Sequence, residues 1–214
     1  MPRNHTLTIQ PSISVDRAAL AGGVLAAASE LGGEVCDLNA RFLAARQPLV
    51  EYTVPYLTLA PNGAERFGVA VVHAGAVVAV LRRADGTCVL TASHDTCDTG
   101  AALDAARTVG DSLFRQLVLR RITRVFRLRG YAIVERCTPP SGAVVLRTRL
   151  PVASPMQPSA RTAPPEFAVE VDAGGCVTVH LAGLHRHGRG LVQDTLVHAL
   201  RETVPVGATA GHAA

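Results

Sequence analysis

Two hydrophobic periodicities divide this chain. Short apolar runs with a period of two mark half-buried strands, and stretches whose apolar residues return every three or four positions mark helices. Leu7, Ile9 and Ile13 alternate partially between His5 and Ile13 and predict a first strand. Leu20, Val24, Ala28 and Leu31 then recur at helical spacing, with Ser14 or Asp16 as the N-cap and Gly32-Gly33 as the stop. Val35 to Leu38 reads as a short strand, and 39–48 as loop or a broken helical turn. A meander follows. Val50 to Ala60 is rich in strand formers, although Pro55 marks an edge or a bulge. Asn62-Gly63 is a turn, Phe67 to His73 and Ala76 to Arg82 are joined around Gly75, and Asp85-Gly86 is a hairpin signal before Thr87 to Thr91.

After a polar loop from Ser93 to Thr99, helical spacing returns. Ala101 to Val109 predicts a separate segment interrupted at Gly110, with Asp111 or Ser112 capping the main helix. On that helix Phe114, Leu117, Val118, Ile122 and Val125 share one face, and Gln116, Arg120, Thr123, Arg124 and Arg127 share the opposite one. Gly130 ends it. Tyr131 to Cys137 and Ala143 to Leu150 then form a hairpin over Pro139-Pro140-Ser141-Gly142. Residues 151–165 contain five prolines among Ser, Gln and Thr, the composition of a stiff, extended linker. Phe167 to Val171, a turn at Gly174-Gly175, Cys176 to Leu181 and a helix from Leu191 to Thr203 make a small ββα pattern.

These elements predict an α+β fold. A mostly antiparallel sheet takes the N-terminal strand, the meander and the hairpin after Tyr131, with two main helices on one face. The expected domain plan is a main domain over 1–150, a Pro-rich linker over 151–165, the ββα unit over 166–204 and a disordered tail over 205–214. A unit of about forty residues rarely buries enough surface to fold alone. The ββα unit is therefore expected to dock on the main domain, on a second copy or on a partner.

Composition sharpens this picture. An apolar fraction of 48% supports a real core, built mostly from Val, Leu, Ile and Ala because aromatics make up only 4%. All 21 basic side chains are arginine. The absence of lysine excludes a Schiff-base lysine and a P-loop lysine, and every cation carries a planar donor fork suited to phosphate or carboxylate. The net charge of +4 is unevenly spread: residues 107–149 hold ten arginines against Asp111 and Glu135, a local +8 that leaves −4 for the rest. Five scattered cysteines with no CxxC, and an N-terminus without an apolar signal core, predict reduced thiols in a soluble, intracellular (cytoplasmic) protein. The longest apolar run, Val69 to Leu81, is too short to span a bilayer.

The strand HTLTIQPSI, the helix DRAALAGGVLAAASELG, the meander and FRQLVLRRITRVFRLRGYAIVERC together resemble the conserved plastid hypothetical reading-frame-thirty-five family, a domain of unknown function. That family ends with a helix rich in Gln, Arg and Tyr, then Gly-Tyr or Gly-Phe, then a strand. Gly130-Tyr131 fit, and arginines stand where the family has its Gln-Arg-Tyr core. The stretch EFAVEVDAGGCVTVHLAGLHRHGRGLVQDTLVHAL resembles a second, short family of unknown function, with Gly183 and Gly188 fitting its loop and Leu191 nearest the position of its cysteine. The resemblance implies association with a MoxR-like AAA ATPase.

Four constellations carry candidate chemistry. Arg120, Arg124 and Arg127, with Arg121, Arg129 and Arg136 placed to extend them, form a cationic helix face for phosphate, nucleic acid or an acidic protein. The plainer alternative is a solvated face whose arginine stems cover apolar surface. The stretch Gly183 to Gly190 precedes the last helix, so its backbone N–H groups, with Gly188 and Gly190 for flexibility and Arg186 and Arg189 beside them, would suit an anion. An ordinary connection is the plainer reading there. Cys176, His180, His185 and His187 offer zinc-compatible ligand atoms but lack a standard spacing, as do Cys88, His94, Cys97 and Cys137. Ser93-His94-Asp95 lacks the geometry of a triad, because adjacent residues cannot relay a proton in line. The expected function is a non-enzymatic accessory or adaptor protein without a cofactor, with a protein partner on the arginine face. The rival is a phosphate or nucleic-acid binder using that face and the Gly183–Gly190 loop.

Overall fold

The computed structural model describes residues 5–37, 49–60, 66–151 and 165–201. Their strands divide between two sheets. The six-stranded sheet holds β2 (Ile13–Val15), β3 (Glu34–Asp37), β4 (Val50–Leu59), β5 (Arg66–His73), β6 (Ala76–Arg82) and β7 (Thr87–His94), in the order β2-β4-β7-β6-β5-β3. The five-stranded sheet holds β1 (Thr6–Ile9), β8 (Ala132–Cys137), β9 (Val144–Arg149), β10 (Glu166–Val171) and β11 (Val177–His180), in the order β1-β11-β10-β9-β8. All pairings are antiparallel except β2 with β4. Three helices complete the described fold: α1 (Arg17–Leu31), α2 (Thr99–Leu128) and α3 (Arg186–Leu200).

The α+β class with mostly antiparallel pairing is therefore as the sequence predicts, but one sheet becomes two. The single N-terminal strand expected from His5 to Ile13 breaks at Pro11, which has no N–H for a ladder. Its first half, β1, pairs with β11, and its second half, β2, pairs with β4. The Ser12 amide between them donates to the Leu200 carbonyl at the end of α3, 2.9 Å away.

The ββα pattern docks on the rest of the chain through its backbone. β10 pairs with β9 along its whole length, Val169 opposite Leu146, and β11 pairs with β1, Leu7 opposite Val179. The Leu150 amide donates to the Pro165 carbonyl at 3.2 Å, so the two ends of the Pro-rich segment lie side by side. Most of the expected linker and the whole expected tail lie outside the described residues, as do the predicted loop 39–48 and the Asn62-Gly63 turn.

α2 joins the two sheets. Its 30 residues extend about 45 Å at 1.5 Å per residue. Asp98 caps it, accepting from the Gly100 and Ala101 amides at 2.8 and 3.1 Å. The helix runs unbroken through Gly110, where the sequence predicts an interruption. A Cβ there would sit 2.7 Å from Tyr52 Cε1 and 3.2 Å from Leu90 Cδ1, so the glycine serves close helix–sheet approach. We expect Gly110→Ala to lower stability by about 1 kcal/mol in a thermal melt, because overpacking costs about 1–3 kcal/mol and alanine returns about 1 kcal/mol of helix propensity.

α1 begins at Asp16, whose carboxylate accepts from Ala19 N at 2.7 Å, and ends at Gly32 in the left-handed region. It crosses α2 closely: a Cβ on Gly23 would lie 2.7 Å from Leu117 Cδ2. Pro55 marks a bulge in β4, where the register shifts between Thr53 and Thr58 and Tyr56 takes φ 60°. The core runs continuously from the six-stranded sheet through α2 to the five-stranded sheet. Beneath the latter, Phe126 meets Tyr131 and Phe167 at ring-centroid distances of 5.0 and 5.8 Å.

Candidate functional site: the arginine face of α2

The C-terminal half of α2 is two-faced, as its periodicity predicts. Ile122 and Phe126 are fully buried, and Arg120, Arg124 and Arg127 are exposed. The predicted outward position of Gln116 is wrong. Gln116 is buried and donates from Nε2 to Glu30 Oε2 at 3.1 Å, because α1 crosses α2 on that flank. The same crossing buries Leu119.

The contacts sort the ten arginines of 107–149. Arg107 pairs with Asp104, Arg115 with Glu30, Arg147 with Glu135 and Arg149 with Glu166. Arg121 donates to the Ser14 carbonyl at 3.2 Å. Its half-burial, and then the positive charge of Arg124, lower its pKa below the ordinary guanidinium range. Among the described residues no carboxylate pairs with Arg120, Arg124, Arg127, Arg129 or Arg136. Arg127 occupies the last turn of α2, where the negative end of the helix dipole favours a cation. Gly22 of α1 leaves room for the Arg120 guanidinium, which a Cβ at that position would meet.

Two grooves flank the ridge formed by Arg120, Arg124 and Leu128. One, of about 560 Å³, is lined by Ala26, Gln116, Leu119, Thr123, Arg127 and Arg136 in addition to the ridge. The other, of about 570 Å³, is lined by Ser14, Val15, Asp16, Ala19, Leu117, Arg121 and Val125 on the opposite side. Leu128 stands 76% exposed at the end of the ridge. The walls are thus cationic and apolar together; among the described residues Asp16 is the one lining carboxylate and no aromatic lines either groove. Arg129 lines neither groove. The α1 residues of the site went unpredicted, since only the Gly22-Gly23 pair signals a close crossing in the sequence.

The orientation of α1 against α2 is held by Glu30. Its carboxylate accepts from Ser112 Oγ at 2.5 Å, Gln116 Nε2 at 3.1 Å and Arg115 Nη2 at 2.6 Å. Burial pushes the Glu30 pKa up, but the bonds from Ser112, Gln116 and Arg115 outweigh it and hold the carboxyl below its ordinary range.

The Gly183–Gly190 stretch is different from the expected loop. α3 starts at Arg186, five residues earlier than Leu191, so Arg186, Gly188, Arg189 and Gly190 lie in its first turns. A Cβ on Gly188 would lie only 3.1 Å from Leu150 Cδ1, so the glycine lets the start of the helix approach the end of β9 closely. His185 occupies the N-cap position without a side-chain bond. The shallow groove at this end is lined by Arg186, His187, Gly190, Leu191 and Asp194, and shares no residue with the α2 grooves.

The zinc-compatible residues do not converge. Cys176 Sγ donates to the Ile9 carbonyl at 3.6 Å, His180 Nε2 lies 3.4 Å from Glu170 Oε2 on the neighbouring strand, and His185 and His187 are exposed at the start of α3. Among the described residues no group of three or more His, Cys, Asp or Glu side chains could hold a metal ion. Cys88 is buried in β7, which pushes its thiol up to about 12. All five cysteines are free. Ser93 and His94 point to opposite faces of β7, as consecutive strand residues do. His94 Nδ1 does lie 3.0 Å from Asp95 Oδ1, but its Nε2, the atom a triad would aim at the serine, donates to the Ala74 carbonyl at 3.0 Å.

Compared with known protein families and with curated proteins, the chain matches none. Among the described residues no helix is long and apolar enough to cross a membrane.

Proposed function

We propose that this protein is a non-enzymatic accessory or adaptor protein that receives an anionic protein partner on the C-terminal half of α2, and that the partner belongs to a MoxR-like AAA ATPase system. The observation that carries the reading is the set of arginines without carboxylate partners among the described residues. Arg120, Arg124, Arg127 and Arg136 line a groove whose other walls include Ala26, Leu119 and Leu128. Unneutralised guanidinium forks beside apolar surface suit carboxylates carried on a partly apolar surface. The ATPase is suggested by the family resemblance alone.

The second reading is a phosphate or nucleic-acid binder, favoured by the same charges. Among the described residues no aromatic side chain lines either groove, so the described walls offer bases no stacking platform. The Gly183–Gly190 element no longer joins this reading, since it is helical and lines a separate groove.

Salt dependence separates the two. A nucleic-acid complex on this face loses affinity with a log–log slope near −0.9 for each phosphate neutralised on duplex DNA. Arg124→Ala with Arg127→Ala would then flatten that slope by about 2. A protein partner held by apolar contact as well as charge stays bound at 1 M salt, where the Debye length is about 3 Å. We expect the second behaviour, with the double variant slowing association at low salt. Loss of the purified ATPase partner from the immobilised chain at moderate salt, with DNA retained in its place, would reject the adaptor reading.

A further inference from the structure

We propose that the anionic partner enters as an extended acidic segment that adds a strand to the free edge of β8 and lays alternate carboxylates into the arginine groove. This rests on the adaptor reading and specifies how the partner binds. β8 is the outer strand of the five-stranded sheet, and among the described residues its one strand partner is β9. Its side chains are largely exposed, with Val134 41% accessible. An edge of this kind presents a row of backbone donors and acceptors ready for another strand.

The register joins that edge to the cationic groove. A shift between Ile133 and Glu135 places Arg136 opposite Leu146, whose side chain is buried on the helix side of the sheet. Arg136 therefore lies on the helix side too, where it lines the groove with Arg120, Arg124 and Arg127. A strand added beside β8 would continue the sheet over this groove. Its side chains on that side would recur about every 6.6 Å, comparable with the about 6 Å that separates Arg120 from Arg124 along the helix axis. The occupant that fits has Asp or Glu at alternate positions, all facing the groove, with apolar residues between them on the opposite face of the sheet. An inward-pointing charge and an irregular register also defend an edge against unwanted pairing. That role accounts for Arg136, but leaves the cluster of Arg120, Arg124 and Arg127 beneath it unexplained. A nucleic acid would meet the arginines but leave the β8 amides unpaired.

The test uses the full chain and a capped six-residue peptide alternating Glu and Val, followed by calorimetry and by hydrogen exchange at residues 132–137. The expected result is at least tenfold slower exchange of β8 amides on saturation. Binding should weaken at least tenfold when alternate peptide amides are N-methylated, and several-fold in Arg136→Ala. Equal binding of the N-methylated peptide, or of a scrambled peptide with its glutamates clustered, overturns strand addition while leaving the cationic face as an anion site. Tighter binding of a 20-residue oligo(dT) without β8 protection overturns it in favour of nucleic acid. Protection of β8 without peptide, together with a dimer in sedimentation, overturns it in favour of a second copy. Failure of every anionic probe to bind removes the adaptor reading as well.

Discussion

Replacing Phe126 by alanine is expected to cost about 3–5 kcal/mol, the range for emptying a fully buried aromatic site. The position explains the size. Phe126 is fully buried where the last turns of α2 meet the five-stranded sheet, and its ring packs on Tyr131 and edge-on against Phe167. Tyr131 lies just beyond the end of α2 and Phe167 is the second residue of β10, so one side chain ties together α2, the hairpin that follows it and the C-terminal hairpin. The Tyr131 amide also donates to the Phe126 carbonyl at 2.9 Å, which fixes the turn around the ring. Relaxation into the cavity is limited by three elements that are already paired to one another. Urea unfolding followed by far-UV circular dichroism measures the effect, because the chain has no Trp to report by fluorescence. A loss below about 1 kcal/mol would mean that this junction contributes little to the cooperative core.

Glu30→Ala is expected to cost about 2 kcal/mol, because buried donors lose their acceptor while a partly exposed ion pair contributes at most about 1 kcal/mol. Arg115 is 12% exposed and Glu30 26%, so water reaches the carboxylate and softens the loss. What raises the cost is the company left behind. Ser112 and Gln116 are buried donors that point at Glu30, and both would lose their acceptor. The pH dependence has a definite sign. The folded pKa of Glu30 is lowered, so its contribution is complete above the unfolded-state value near 4.5 and disappears as pH falls through the folded value. The difference between wild type and Glu30→Ala should thus be full at neutral pH and shrink in acid below that value. A difference that grows on acidification would contradict the charged clamp. Glu30→Gln keeps the shape and one acceptor, and is expected to fall between the two.

The clamp also bears on the site. Gln116 both bonds Glu30 and lines the groove with Arg120 and Arg124. Loosening α1 from α2 would move Ala26, and with it one wall of the proposed partner site.

Much of the local structure is written in short windows of sequence. Asp16 and Gly32 bound α1, Asp85-Gly86 turns β6 into β7, and Gly130 closes α2, because capping and turn residues act on backbone within a few positions. The same windows mislead where a distant contact sets the local choice. Gly110 reads as a helix break until Tyr52 and Leu90 are seen against it, and Gly188 reads as loop until Leu150 is placed beside it. β7 also extends past the Thr91 end that its own residues predict, to His94. The polar Ser93 and His94 pair with Val77 and Ala76, and their strand conformation is set by that partner rather than by their own propensity.

The sequence by itself determined the two faces of α2 and the exposure of Arg120, Arg124 and Arg127, since a 3.6-residue period needs no knowledge of what lies elsewhere. It also determined an α+β protein with mostly antiparallel pairing. Tertiary structure alone decided that Pro11 sends β1 and β2 into different sheets, and that β10 and β11 complete a sheet with β9 and β1. It also decided which arginines of 107–149 find carboxylates, and that Arg136 arrives from a sheet edge to face the arginines of the helix. Those outcomes depend on pairings between residues tens of positions apart. Strand order and charge neutralisation are set there by the packing of the whole chain, which no local period records.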